Sequence, residues 1–268
     1  MTSARQPGTV LTDAFASVGG RARLSKVPQV TALFWIIKVL TTGMGETASD
    51  FLAHTVAPPV AVALGGLGLA AALALQLRVR RYLAGVYWFA VIMVSVFGTM
   101  AADVLHVGLG VPYLVSTIGF AVALAAILAI WYAAERTLSI HSITTPRREL
   151  FYWATVLTTF ALGTAVGDLT AVTFRWGYLL SGVIFAVAIA VPAFAFRTRT
   201  LNAVAAFWTA YVITRPLGAS FADWMGVSHA RGGLALGTGL VTAAWAALIV
   251  ILVAYLAVTR ADAEPAGR

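Results

Sequence analysis

Four aspartates recur in one local setting. Phe34-Trp35 leads through nine residues to Gly45, then to Ser49 and Asp50; Tyr87-Trp88 leads to Gly98, Ala102 and Asp103; Tyr152-Trp153 to Gly163, Gly167 and Asp168; Phe207-Trp208 to Gly218, Ala222 and Asp223. The pattern is [Phe/Tyr]-Trp-x9-Gly-x3-small-Asp with no gap in any copy, and the two other Asp, Asp13 and Asp262, lie in the terminal tails. Four such matches mark an internal repeat. A set of equivalent carboxylates can hold a cation or carry protons, and hard oxygen donors suit Mn, Mg or Ca. If all were ionised they would repel, so they must be partly protonated, hydrated, paired with a cation or hydrogen-bonded. The bland alternative is that each Asp, near a helix end, caps the next helix.

Other groups with chemistry surround the motif. Glu46 is one turn from Asp50; His54 follows Asp50 by four residues and His106 follows Asp103 by three, spacings that share a helical face. Carboxylate with imidazole suits Mn, Zn, Fe or Cu, or a proton relay. His229 stands six residues after Asp223, and His141 falls in a loop. Two cations break the repeat symmetry. Lys38 has Val91, Val156 and Tyr211 at the equivalent positions, and Arg215 has Thr42, Ser95 and Phe160. Either could neutralise an empty acidic site, and Arg215 could equally form a locking salt bridge. Pro216 is expected to kink its helix and free a carbonyl. The Gly-x3-small pairs make flat strips on which helix backbones approach closely.

The elements that carry these residues follow from composition. Of 268 residues, 60% are hydrophobic and 10% charged, and the mean hydropathy is +0.90. A soluble domain carries about a quarter charged residues, and recurring apolar runs of about 20 residues are the signature of spans. The absence of Cys excludes disulfides, thiolate metal sites and iron–sulfur clusters. Eight spans fall at roughly 29–53, 58–77, 84–107, 111–134, 150–173, 177–196, 200–225 and 232–258. The expected fold is an all-α membrane protein of eight transmembrane helices: four parallel hairpin repeats in a pseudo-fourfold arrangement, motif helices inside and return helices outside. The repeats run over about 29–78, 82–135, 148–197 and 200–258, between an N-terminal tail of about 28 residues and a C-terminal tail from about 259. Repeats two and three also match at Tyr113/Tyr178, Ser116/Ser181 and Phe120-Ala121-Val122/Phe185-Ala186-Val187.

Lys and Arg in the loops divide fourteen against two, the pair being Arg175 and Arg231. That bias puts both termini in the cytoplasm and sets the positive charge against anionic lipid rather than nucleic acid. A cleaved signal peptide is not expected. The four Trp then start their helices near the cytoplasmic interface, where Trp is favoured. Each Asp, 15 residues later, sits about 22 Å along the helix, at one depth in the outer part of the membrane.

Gly-Glu-Thr-Ala-Ser-Asp at 45–50 and Arg-Pro-Leu-Gly-Ala-Ser-Phe-Ala-Asp at 215–223, within the four-hairpin pattern, resemble an uncharacterised family of bacterial multi-pass inner-membrane proteins. The resemblance covers nearly the whole chain and implies architecture and location, not a substrate. A looser similarity is to manganese and calcium exporters with Glu-x-Gly-Asp motifs; here no Glu stands two residues before Gly167-Asp168, and there are four units rather than two. Walker, His-Glu-x-x-His, Gly-x-Ser-x-Gly and potassium-filter sequences are absent, so neither an enzyme nor a cofactor is expected. The expected function is secondary transport of a cation, foremost a divalent metal such as manganese, as substrate. Asp50, Asp103, Asp168, Asp223 and Glu46 would bind it, helped by His54 and His106, with Lys38 and Arg215 as counter-charges. The alternatives are a cation channel with an Asp ring and a non-transporting structural or sensory protein.

Overall fold

The computed structural model describes residues 25–263, which fold into helices joined by short connections. In chain order these are α1 (Ala32–Thr55), α2 (Pro58–Arg78), α3 (Ala84–Asp103), α4 (Tyr113–Glu135), α5 (Pro146–Asp168), α6 (Gly177–Ala188), α7 (Ala190–Arg197), α8 (Ala203–Gly226) and α9 (Thr238–Thr259). The motif helices are α1, α3, α5 and α8. Thr31, Thr145 and Asn202 start α1, α5 and α8, each side-chain oxygen accepting from the backbone N–H three residues on, which satisfies one orphan donor of the first turn. Six segments are long and apolar enough to cross a membrane: Pro58–Arg78, Ala84–Gly108, Tyr113–Glu135, Pro146–Thr173, Gly177–Arg197 and Thr238–Thr259. The chain is a multi-pass membrane protein. The remaining long helices, α1 and α8, have 24 residues each and carry the charges Lys38, Glu46, Asp50, Arg215 and Asp223.

The motif helices close a ring, α1 against α3, α3 against α5, α5 against α8 and α8 against α1. The return helices lie outside it. Over their spans 56% and 67% of residues are buried in α3 and α5, against 28, 17, 17 and 17% in α2, α4, α6/α7 and α9. Each return helix packs chiefly on the motif helix of the next repeat: α2 on α3, α4 on α5, α6 on α8, and α9 on α1. No repeat therefore completes its own core, as expected of stacked units that bury a face only against neighbours.

Two motif positions build the ring. The first aromatic of each repeat packs on the Trp of the next: Phe34 on Trp88 (5.6 Å between ring centres), Tyr87 on Trp153 (5.7 Å), Tyr152 on Trp208 (6.1 Å) and Phe207 on Trp35 (5.6 Å). Trp88, Trp153 and Trp208 are buried in this aromatic girdle, each facing the preceding motif helix. Lower in the ring, the motif glycines receive the residue three before the glycine of the next repeat. Gly45 faces Ser95, Gly98 faces Phe160, Gly163 faces Arg215 and Gly218 faces Thr42.

Several details depart from the expected spans. Asp103 and Asp168 are followed by π turns, Val104–Gly108 and Leu169–Thr173, rather than by regular helix; such wide turns often occur at functional sites. The span expected at 177–196 is broken at Ile189, where Pro192 lacks the N–H that would bond one turn back. α8 by contrast continues as one helix through Pro216. Residues 25–28, expected in a free tail, are buried, with Lys26 paired to Glu149. At the other terminus Asp262 is buried and accepts a hydrogen bond from Tyr82. The rest of both expected tails, including Gly19-Gly20, Arg21 and Arg23, lies outside the described residues.

Candidate functional site

Along α1 one residue per turn marks successive layers of the ring: Trp35, Lys38, Thr42, Glu46 and Asp50. Lys38 to Asp50 is twelve residues, about 18 Å of helix. Next to the aromatic girdle, Lys38 is 1% exposed. Its Nζ stands 4.0 Å from the centre of the Phe160 ring and 4.2 Å from that of Tyr211. This nitrogen has no hydrogen-bond partner, and the two ring faces are its nearest aromatic contacts.

One turn further lies a hub. Arg215 is fully buried and joins all four motif helices. Its Nη1 donates to the Thr42 carbonyl on α1 (3.0 Å); its Nη2 donates to Glu46 on α1, to Thr99 on α3 and to Thr164 Oγ1 on α5 (2.7 Å). Thr99 also donates to Glu46 Oε2 (3.2 Å). Glu46, Thr99 and Thr164 each directly follow a motif glycine, and Ala219 is the fourth equivalent. The hub is thus one repeat position filled three times with a polar group, read by the one Arg at another. Glu46, expected at the acidic site, does line it, but its carboxylate is engaged by Arg215.

Beyond the hub opens a cavity of about 540 Å³, and Asp50, Asp103, Asp168 and Asp223 all line it, together with Glu46 and His54. Tyr113, Tyr178 and Arg231 line it as well, and Arg231 donates to the Tyr178 hydroxyl. Tyr113 and Tyr178, equivalent positions of repeats two and three, thus both reach the site. The Asp do not cap the following helices. The N-cap residues there are Ala57, Pro112, Trp176 and Gly237, none with a side-chain cap hydrogen bond.

The ring is not uniform around the cavity. Among the described residues, Asp103, His106 and Asp168 offer ligand atoms that all lie within 4.8 Å of one another. His106, carried on the π turn after Asp103, points Nδ1 at Asp168 Oδ2, 3.7 Å away. His54 does not do the same. It is exposed, and its Nδ1 lies 2.6 Å from the Asp50 carbonyl, tying the end of α1. Asp50 and Asp223 line the cavity outside that cluster. His229 is bonded to the Gly233 carbonyl (2.8 Å).

Four stretches of the chain, residues 33–82, 86–137, 151–200 and 206–262, match the family model described as a repeat of unknown function (DUF347). No curated protein and no solved structure matches the chain. Each matched stretch contains one motif helix and its return helix, so the unit of the family is the hairpin from which the ring is assembled. The chain belongs to the DUF347 repeat family.

Proposed function

We propose that this protein is a secondary membrane transporter of a cation, a divalent metal such as manganese, bound in the Asp-lined cavity. The observation that carries the reading is the convergence of four carboxylates, one from each motif helix, on one cavity. A carboxylate at membrane depth costs on the order of 2.5–3.5 kcal/mol on insertion scales, and four together are tolerable when a cation balances them. In this reading all eight hairpin helices cross the inner membrane of a bacterium in a pseudo-fourfold arrangement, both termini are cytoplasmic, and the cavity faces outward. The buried Arg215–Glu46 hub, Phe160, Lys38 and the girdle fill the ring beyond the cavity. That favours a carrier, which exposes its site to one side at a time, over a channel with an open axial Asp ring.

The test is metal flux into liposomes holding the purified protein, followed with a trapped metal-quenched dye. Saturable Mn²⁺ entry is expected with the wild type and a loss of at least tenfold with Asp168→Asn that stays folded. Equal rates in empty and protein-loaded liposomes for Mn²⁺, Zn²⁺, Co²⁺, Ca²⁺ and Mg²⁺ would sink the transport reading in favour of a structural or sensory role.

A further inference from the structure

We infer that the cation is held off the ring axis, between repeats two and three, by Asp103, His106 and Asp168, and that this set selects first-row transition metals over Mg²⁺ and Ca²⁺. The inference rests on the transport reading only for its biological use; the binding itself stands on the geometry.

His106 carries the argument. Its side chain is 2% exposed, so the unpaired ring nitrogen has no water to turn to. Nε2 is 2.6 Å from Ser116 Oγ, and that hydroxyl donates to the Tyr113 carbonyl at 3.0 Å. With the Ser116 hydroxyl donating to that carbonyl, its oxygen accepts from Nε2–H, the arrangement that leaves the Nδ1 lone pair facing Asp168. Nδ1 has no hydrogen-bond partner, and it faces a carboxylate oxygen at 3.7 Å. With the proton on Nε2, the Nδ1 lone pair and the carboxylate oxygen repel across that gap until a positive charge, a proton on Nδ1 or a metal ion, stands between them. The distance is too long for a hydrogen bond. With metal–ligand bonds of about 2.1 Å, it is the span of two donors on one ion at an angle of about 120°.

The support around His106 is that of a ligand. Its ring packs edge-on to Tyr113, 4.5 Å between centres, and its second nitrogen is held by Ser116, the outer-shell arrangement that fixes tautomer and direction for metal-bound imidazoles. The π turn Val104–Gly108 carries it. The other repeats have Ala53, Ala171 and Gly226 at its position, so the fourfold pattern holds a single such nitrogen. One imidazole with two carboxylates suits Mn²⁺, Fe²⁺, Co²⁺ or Zn²⁺, whereas Ca²⁺ and Mg²⁺ take oxygen ligands only.

The experiment is calorimetric titration of detergent-purified protein with Co²⁺, Zn²⁺, Mn²⁺, Mg²⁺ and Ca²⁺, with the Co²⁺ absorption spectrum as a second readout. One Co²⁺ per chain with a nitrogen-ligand band is expected, and no heat from Mg²⁺ or Ca²⁺ at the same concentrations. His106→Gln should lose about 100-fold in Co²⁺ affinity and shift the band, and Ser116→Ala about tenfold; His141→Ala, on a loop outside the cavity, should match the wild type. Thermal melts confirm that each variant is folded, and the Ser116→Ala arm decides the matter if His106→Gln is not. Co²⁺ binding unaltered in both variants, equal binding of Mg²⁺, or no binding to the wild type would each overturn the inference. Failure of transport with Co²⁺ binding intact sinks the transport reading and leaves this site. Metal flux that survives His106→Gln leaves transport and sinks the site.

Discussion

Arg215 has no contact with water, and what makes that state stable is the company it keeps. Its carboxylate partner Glu46 and two threonine hydroxyls share the two N–H of Nη2, and a backbone carbonyl accepts from Nη1. Only Nε is left without a partner. Removing one member of a buried pair strands the other, at about 3–5 kcal/mol, whereas removing both is nearly neutral. Arg215→Met is therefore expected to lower stability by about that amount, and the double variant Arg215→Met/Glu46→Gln to recover most of it. Thermal melts of the two variants beside Glu46→Gln test this. A double variant no more stable than Arg215→Met would mean that the hub acts by packing rather than by charge compensation. Arg215 was legible in the sequence as a cation that breaks the repeat and as a candidate for a locking salt bridge. That Glu46 is its partner was not, because it depends on helix rotation, which a linear pattern does not specify.

At the scale of helices, the interlock of motif glycines with the next helix makes a sharper prediction than small-residue packing in general. A Cβ at Gly98 would lie 2.7 Å from Phe160 Cβ, and one at Gly218 would lie 2.6 Å from the Val39 carbonyl oxygen. Both contacts need backbone movement. Overpacking costs typically about 1–3 kcal/mol, so Gly98→Ala and Gly218→Ala should each lower the melting temperature by several degrees. Gly167 is also a motif residue, at the small position before Asp168, yet nothing lies within 4 Å of its would-be Cβ. Gly167→Ala should stay within about 0.5 kcal/mol of the wild type. Equal damage from Gly167→Ala and Gly218→Ala would show that steric interlock is not what the glycines provide. The sequence reading grouped all these small residues into one packing strip; only the neighbour across the interface separates them.

For the whole molecule, the two described ends of the chain are bound to the ring at the face opposite the cavity. Lys26 is paired with Glu149, which also accepts from Gln76 Nε2 (3.0 Å). Gln29 N–H donates to the Asp262 carbonyl (2.8 Å), and Tyr82 donates to the Asp262 carboxylate. Burial, reinforced by Asp262, pushes the Tyr82 hydroxyl well above its ordinary range, so it remains a donor. Burial also raises the Asp262 carboxyl, with the Tyr82 hydrogen bond opposing. A carboxyl raised on folding stabilises the folded state most when protonated, below its unfolded value, and that contribution is lost as pH rises through the folded value. The closure is accordingly expected to loosen with rising pH above the ordinary carboxylate range. Hydrogen exchange of residues 25–31 as a function of pH reads this directly. Asp262→Asn should flatten the profile, and a profile unchanged by it would assign the pH response elsewhere.

The sequence by itself determined the repeat, its hairpin unit, the helical class, the inner and outer helices and the four aspartates. All of these are periodic in the chain, and hydrophobic matching and helical rise turn period into depth. Tertiary structure alone decided what each residue touches. Return helices dock on the next repeat rather than their own, and Trp residues turn into a girdle. Arg215 reaches all four motif helices, and of the two histidines that follow Asp50 and Asp103, His106 faces a carboxylate while His54 ties a helix end. The reason is physical. Depth is set one helix at a time, but rotation about the helix axis, and the π turn that carries His106, are settled only when neighbouring helices press their side chains into one another's grooves.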